Sequence, residues 1–332
     1  MKHLLYFFYY LKSLDWENYS KYINYVVNTT SRKRASVLFD SIISSFRYNI
    51  SLLDYFYFRF YELSVLDRLT WAGTGFMYEY QLLMNPRITR GVLENKIEFL
   101  RNYTAYIKRE FSTLEELEKS SGQAGRLLNH PSGHIVLKNS RGQAGNAVEV
   151  KKTDGINAGA LANYMHSKDY DLAEEYVVQH PDMNKLSPSG LNTVRIITQI
   201  DKEQVDFLGA RLRISVNSTV DNMAAGNLAA PIDVTTGKVI GPGVYSDITK
   251  SDESVHPVTG VSIFGFQIPF WNEVCQMARD AALFDIRNRS VGWDIAITEN
   301  GPELIEGNHN WCKLLWQLPV KKGLKGELEK YL

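Results

Sequence analysis

His134-Ile135-Val136-Leu137-Lys138 runs directly into Asn139-Ser140-Arg141-Gly142-Gln143-Ala144-Gly145-Asn146-Ala147-Val148. The first five residues form a short β-rich run, read as a strand, that ends on a lysine followed by a glycine-bearing turn. That order places a cation beside backbone N–H groups, which is the chemistry a polyphosphate needs. The turn has neither the GK[ST] ending of a P-loop nor the GxGxxG spacing of a dinucleotide fold. On its own, the stretch is better read as an ordinary hairpin turn with a surface lysine. The earlier Gly122-Gln123-Ala124-Gly125 copy follows no strand-borne lysine and is too short to mark a structural repeat.

A second polar constellation lies near the C-terminus. Gly292-Trp293-Asp294-Ile295-Ala296-Ile297 is followed by the turn Glu299-Asn300-Gly301-Pro302 and then by Glu303-Leu304-Ile305-Glu306-Gly307-Asn308. If the two runs form a hairpin, strand alternation puts Glu306 and Asn308 on one face, where Asp294 of the neighbouring strand can join them. Two carboxylates and an amide suit a hard cation such as Mg2+ or Mn2+. A solvent-exposed hairpin with polar residues outward is the competing reading.

Working outward from these two segments, the chain divides by texture. From Gly133 onward it carries β-rich runs at 134–138, 175–179, 194–200, 207–216, 291–298 and 303–306. A helix over 271–283, with Val274, Met277, Ala278 and Ala281 on one face, is predicted to cover the resulting sheet. Gly241-Pro242-Gly243 and residues 251–259 read as loops. Residues 1 to about 118 are aromatic and poor in glycine, with Tyr55, Phe56, Phe58, Phe60, Tyr61 and Leu63 at spacings that suit helices, and a further helix is predicted over 93–111. The expectation is an α+β fold with a mainly helical N-terminal region.

Composition narrows the partners. The 332 residues contain 37 Lys plus Arg and 37 Asp plus Glu, so no whole-chain positive field exists to gather nucleic acid or an anionic membrane. The two cysteines, Cys275 and Cys312, form neither a disulfide framework nor a zinc pattern, which points to a reducing, cytoplasmic setting. The opening apolar run Leu4 to Leu11 is too short to span a bilayer and lacks a signal-peptide cleavage site. It reads as an aromatic amphipathic helix packed on its own domain, with a peripheral membrane contact or a homodimer surface as the alternatives. No other segment approaches an integral membrane span.

Taken together, the order of these elements resembles the ATP-grasp superfamily over roughly residues 90–316. The resemblance implies two α+β subdomains clamping ATP, with a helical region at 1–88 and an ATP-grasp domain at 89–332. Within the latter it implies a lid subdomain at about 130–180 and a metal-binding subdomain at about 190–320. Lys96, on the predicted helix at 93–111, and Lys138 match the family's two phosphate-binding lysines, and Gly142 and Gly145 its lid loop. Ala173-Glu174-Glu175-Tyr176-Val177-Val178 matches the strand that reads adenine, with Glu175 and Val177 as the contacts. Arg195 and Arg213 take catalytic places, Arg211, Asn222 and Gly226 substrate-binding ones, and Asp294, Glu306 and Asn308 the metal site. The phrases Leu191-Asn192-Thr193-Val194-Arg195, Ala225-Gly226-Asn227-Leu228-Ala229-Ala230-Pro231-Ile232-Asp233 and Gly292-Trp293-Asp294 are similar to the sugar-transfer-associated branch, whose members are linked to polysaccharide-building systems.

The resemblance implies an ATP-dependent, ADP-forming carboxylate–amine ligase that works through an acyl phosphate. It uses ATP and Mg2+ or Mn2+ and joins a small-molecule carboxylate to an amine, on a sugar acid or amino acid of surface-polysaccharide (capsule) assembly. Two rivals share the scaffold: a kinase acting on a hydroxyl, and a non-catalytic nucleotide-binding partner of glycosyltransferases.

Overall fold

The computed structural model of the chain describes residues 2–119, 121–142 and 148–332. Three helices open it: α1 (Lys2–Lys12), α2 (Trp16–Thr29) and α3 (Arg34–Tyr48). Asp15 caps α2 by accepting a hydrogen bond from the Asn18 N–H, and Asn49 ends α3 in the left-handed conformation (φ 52°). The aromatic run that follows forms only one helical turn, Asp54–Tyr57, because Arg59 adopts φ 53° and breaks the helix. Tyr55, Phe56, Phe58 and Phe60 are nonetheless all buried and form one core with Tyr19, Tyr22 and Ile23 of α2. Their spacing recorded burial rather than a continuous helix.

This helical region is tied to the C-terminal part of the chain. The Gln317 side chain accepts from the Ala72 N–H at 2.9 Å and donates to the Ala72 carbonyl at 3.1 Å, and Lys313 pairs with buried Asp54 at 3.0 Å.

Two antiparallel sheets make up the rest. The smaller contains β1 (Phe111–Thr113), β2 (His134–Lys138), β3 (Val148–Lys152) and β4 (Leu172–Glu175), in the order β1-β4-β2-β3. The larger contains β5 (Thr193–Asp201), β6 (Gln204–Ile214), β7 (Leu228–Ile232), β8 (Ser290–Thr298) and β9 (Gly301–Asn308), in the order β7-β6-β5-β8-β9. The helix Trp271–Phe284 covers the larger sheet, burying Val274, Ala278, Ala281 and Ala282 against Val194, Ile196, Ile295 and Leu304.

Three expectations shift. The strand predicted at 175–179 ends at Glu175, so Tyr176 to Val178 are irregular. The helix predicted over 93–111 is broken at Asn95, whose side chain caps Ile97 and Glu98 and starts a new helix, Lys96–Asn102. Strand β7 escaped sequence reading because Leu-Ala-Ala-Pro-Ile holds a single β-branched residue and a proline; Pro231 is tolerated there because β7 is an edge strand.

Candidate functional site

The two sheets face one another across a cleft of about 810 Å³, within the range of small-molecule sites. The smaller sheet contributes Lys138 at the end of β2, Glu174 and Glu175 at the end of β4, and the segment Tyr176 to Val178. The larger sheet contributes Arg195 from β5, Arg213 from β6, Asp294 from β8, and Glu306 and Asn308 from β9. Lys96 enters from the first turn of its helix, which is fixed by a hydrogen bond from its own N–H to the Ser140 carbonyl at 3.0 Å.

Strand pairing sets the polar cluster. Asp294 lies directly opposite Glu306, and Gly292 opposite Asn308. Register shifts between Asp294 and Ile295, so Ile305 is the extra residue of a bulge on β9 and itself lines the cleft. The Asn308 amide nitrogen donates to Glu306 Oε1 at 3.2 Å and to the Gly292 carbonyl at 3.4 Å, leaving its oxygen as the donor atom for a ligand.

Asp294 is gripped from two strands. Arg195 binds it in bidentate fashion through Nε and Nη2, and Arg213 Nη1 reaches its Oδ2 at 2.5 Å. Arg213 also pairs with Asp221 at 2.8 Å, and Asp221 accepts from the Thr193 N–H at 2.9 Å and from its hydroxyl. Burial alone would push the Asp294 carboxyl up, but Arg195 and Arg213 outweigh it and hold it well below the usual range. Glu306 receives no such grip. Burial, followed by the Asp294 charge beside it, raises its carboxyl above the ordinary value. A carboxylate pair of this kind, with one member driven toward protonation by the other, is relieved by a cation, so the donor set fits a hard divalent metal. Among the described residues no group of three His, Cys, Asp or Glu side chains is placed to hold a metal, so the amide of Asn308 is needed to complete the set.

The lysines are arranged differently. Lys138 pairs with Glu174 at 2.7 Å, while Lys96 donates to the Gly142 carbonyl. Burial lowers the Lys96 ammonium, with the Lys138 charge adding to the effect and Glu306 opposing it. A phosphate arriving between the two ammonium groups would restore what burial takes away.

Sequence reasoning missed the joint that holds the sheets together. Arg109, in the segment before β1, is buried and donates from Nε to Glu174 of β4 at 2.6 Å and from Nη1 to Glu303 of β9 at 2.8 Å. It also donates to the Leu304 carbonyl at 2.9 Å. Lys138 and Arg109 together overcome burial and bring the Glu174 carboxyl down to about 2. Thus Glu174, rather than Glu175, carries the buried charge of this strand end; Glu175 accepts from the Glu110 N–H at 2.8 Å at the cleft edge.

Most of the residues singled out in sequence converge here. Lys96, Lys138, Gly142, Glu175 and Val177 line the cleft on one side, and Arg195, Arg213, Asn222, Asp294, Glu306 and Asn308 on the other. Two residues do not. Arg211, expected at the substrate, shares the alternate positions of β6 with Arg213, but its guanidinium turns the other way, donating to the Trp316 and Ala210 carbonyls outside the cleft lining. Burial without a carboxylate partner among the described residues lowers it to about 10. Gly226 is also outside the lining: with φ 85° it closes the 3-10 turn Met223–Ala225 that presents Asn222 and Met223 to the cleft. Gly145 lies outside the described residues.

Comparison with known proteins adds the following. The family described as sugar-transfer associated ATP-grasp matches residues 76–331. No curated protein matches the sequence. Among solved structures, the chain is similar to D-alanyl-alanine synthetase A from Vibrio cholerae O1 biovar eltor, at 12% identity over 72% of this chain and 60% of that one, with a TM-score of 0.38. An L-amino acid ligase from Bacillus licheniformis aligns at 12% identity over 76% of this chain and 54% of that one, TM-score 0.40. A biotin carboxylase–β,γ-ATP complex from Campylobacter jejuni aligns at 11% identity over 70% of this chain and 47% of that one, TM-score 0.42. The chain thus spans less than two thirds of the length of each of these proteins.

Proposed function

This chain belongs to the sugar-transfer associated ATP-grasp family, and from that premise we propose that it is an ATP-dependent carboxylate–amine ligase acting through an acyl phosphate. The observation that supports the reading is the meeting of two lysines, two arginines and a carboxylate–carboxylate–amide set in one cleft between two sheets. A carboxylate is a poor electrophile because its leaving group would be oxide; transfer of a phosphoryl group onto it makes a leaving group of phosphate, which an amine can displace. Such a reaction asks the protein for position and charge stabilisation rather than for a nucleophile of its own.

Lys96 and Lys138 are suited to the phosphates, and their compensation by Gly142 and Glu174 keeps them from being buried unpaired. Backbone groups of Glu175 to Val178, beside the apolar walls of Val136, Val150 and Ile305, form the place for the adenine. Glu306, Asn308 and Asp294 would hold a divalent cation, Mg2+ or Mn2+, whose chemistry when bound is neutralisation of phosphate charge. Asp294 has both oxygens on arginine, so its share in that site requires Arg195 or Arg213 to yield one of them. Arg195, committed through two nitrogens, acts here as the group that positions Asp294. Arg213, also held through two nitrogens by Asp294 and Asp221, is the more exposed of the two at the cleft wall and would meet the substrate carboxylate or the tetrahedral oxyanion once one of these pairs yields. The substrates proposed are a sugar acid or amino acid and an amine in surface-polysaccharide assembly.

The direct test is release of ADP from ATP measured across a matrix of carboxylates and amines. The ligase reading expects turnover that needs both partners. ADP release with a hydroxyl acceptor and no amine, or nucleotide binding without any turnover, would replace it.

A further inference from the structure

Away from the cleft, three touching helices leave an apolar face uncovered. Strand and helix surfaces normally expose single apolar residues, so isolated cases mean little. Here they are in register. On α3 the positions Phe39, Ile42 and Ile43 are exposed, one helical stripe that continues into half-buried Phe46. The Phe46 ring lies 4.4 Å from that of Phe7 on α1, and α1 carries exposed Leu4, Leu5, Phe8 and Tyr9. The Tyr6 ring of α1 in turn packs edge-on against Tyr78 at 6.2 Å, on the helix Thr74–Met84, whose Leu82 and Leu83 are exposed as well. Leu5 at 66%, Phe8 at 60% and Phe39 at 68% exposed are the most open of these on α1 and α3 apart from Tyr9. Exposed Trp16 follows at the start of α2.

Cations outnumber acids on the three helices that carry this face, while Trp16 sits between the acids Asp15 and Glu17. α1 carries Lys2 and Lys12 and no acid, and α3 with its N-cap carries Lys33, Arg34 and Arg47. The acids on the three helices are Asp40, bound by Arg68 at 2.8 Å, and Glu79, bound by Lys2 at 2.8 Å. Lys12, Lys33 and Arg47 have no carboxylate partner among the described residues. In a chain with no net charge, this is a segregated cationic rim around an aromatic and aliphatic centre.

We propose that the face formed by α1, α3 and the helix Thr74–Met84 docks the protein on an anionic lipid surface. Phe8, Leu5 and Phe39 enter the boundary between headgroups and acyl chains while Lys12, Lys33 and Arg47 lie among the lipid phosphates. Aromatic side chains with one polar end, such as Tyr9 and Trp16, belong at that depth. The binding is peripheral: among the described residues no helix is long and apolar enough to cross a membrane. A two-fold dimer through the same face is disfavoured by the charges, because an isologous contact brings each patch against its own copy and sets these cations against one another. The proposal is independent of the ligase chemistry, since none of these side chains lines the cleft.

Flotation of the full chain with vesicles of phosphatidylcholine, alone or with about one third phosphatidylglycerol, tests it. The expected result is flotation with the anionic vesicles and little with the neutral ones. Leu5→Gln/Phe8→Gln/Phe39→Gln should abolish flotation while leaving the melting temperature and ATP binding unchanged. Lys12→Gln, and Arg47→Gln, whose guanidinium lies 5.5 Å from the centre of the Tyr48 ring, should each weaken anionic binding about fivefold. Failure of the native chain to float, equal flotation with both vesicle types, or flotation that survives the triple substitution would overturn the proposal. So would light scattering that shows a dimer dissociated by the triple substitution, with no lipid binding in the native chain.

Discussion

Replacing Arg109 with methionine should cost more stability than any single change at the cleft surface. The guanidinium bridges Glu174 and Glu303 across the two sheets and donates to the Leu304 carbonyl as well, all in buried surroundings. Methionine fills much of the same volume, so the loss is chiefly electrostatic: among the described residues Glu303 keeps only the N–H donors of residues 108 and 109, and Glu174 keeps only Lys138. Removing one partner from a buried ion pair costs about 3–5 kcal/mol, because an uncompensated charge remains. At about 2 °C per kcal/mol for a chain of this size, the melting temperature should fall by on the order of 6–10 °C. Calorimetry and urea titration at neutral pH measure the two quantities. The informative companion is Arg109→Met with Glu303→Gln, which removes the carboxylate left without a cation while Glu174 keeps Lys138, and it should recover more than half of the loss. A single variant within 2 °C of the native melting temperature, or a double variant no more stable than the single one, would refute the view that this residue joins the sheets by charge.

Further outcomes follow from the same geometry. Glu306→Gln and Asn308→Ala should each lower ADP formation about a hundredfold, near 3 kcal/mol of lost charge stabilisation, with little change in melting temperature; a loss below tenfold would count against the metal assignment. The raised Glu306 carboxyl means that a proton competes with the cation, so Mn2+ affinity should climb as pH rises through the Glu306 pKa, which lies above the ordinary 4.5, and this climb should vanish in Glu306→Gln. Glu174 has the opposite sign: with its folded value brought down to about 2, its stabilising effect is complete above the ordinary 4.5 and is lost as pH falls toward 2, so urea midpoints should drop through that window and drop less in Glu174→Gln. Arg211→Met should leave KM for the carboxylate unchanged, because the guanidinium is outside the cleft lining; a tenfold rise would return Arg211 to the substrate site.

Local pattern made part of this protein legible. Strands β2, β5, β6 and β8 announce themselves by β-branched residues in short runs, whereas Asp294 comes opposite Glu306 only through the bulge at Ile305, which no alternation pattern announces. What pattern alone could not reveal depends on partners remote in sequence. Arg109 looks like any basic residue beside Lys108 and Glu110, and its meaning comes from carboxylates 65 and 194 residues away. Period 2 correctly put Arg211 and Arg213 on neighbouring alternate positions of β6, yet a long side chain can run along a sheet as well as across it. Arg211 was drawn to the carbonyl of Trp316 at the end of a helix, and Arg213 to two acids. Glu174 and Glu175 could not be told apart until Lys138 of the neighbouring strand was seen to meet the first. The helix expected over 93–111 failed because Asn95 satisfies the N–H groups that begin a new helix, and that interruption is what sets Lys96 at a helix start facing the cleft.

The claim on which the functional reading depends is that the carboxylate is activated by the γ-phosphoryl group. Incubation with [18O]carboxylate, ATP, Mg2+ and amine, followed by mass analysis of the phosphorus products, tests it most directly. The account predicts one labelled oxygen in inorganic phosphate, because the oxygen lost when the amide forms departs with the phosphoryl group. Label in AMP together with released pyrophosphate, or phosphate retained on an amine-independent product, would contradict it.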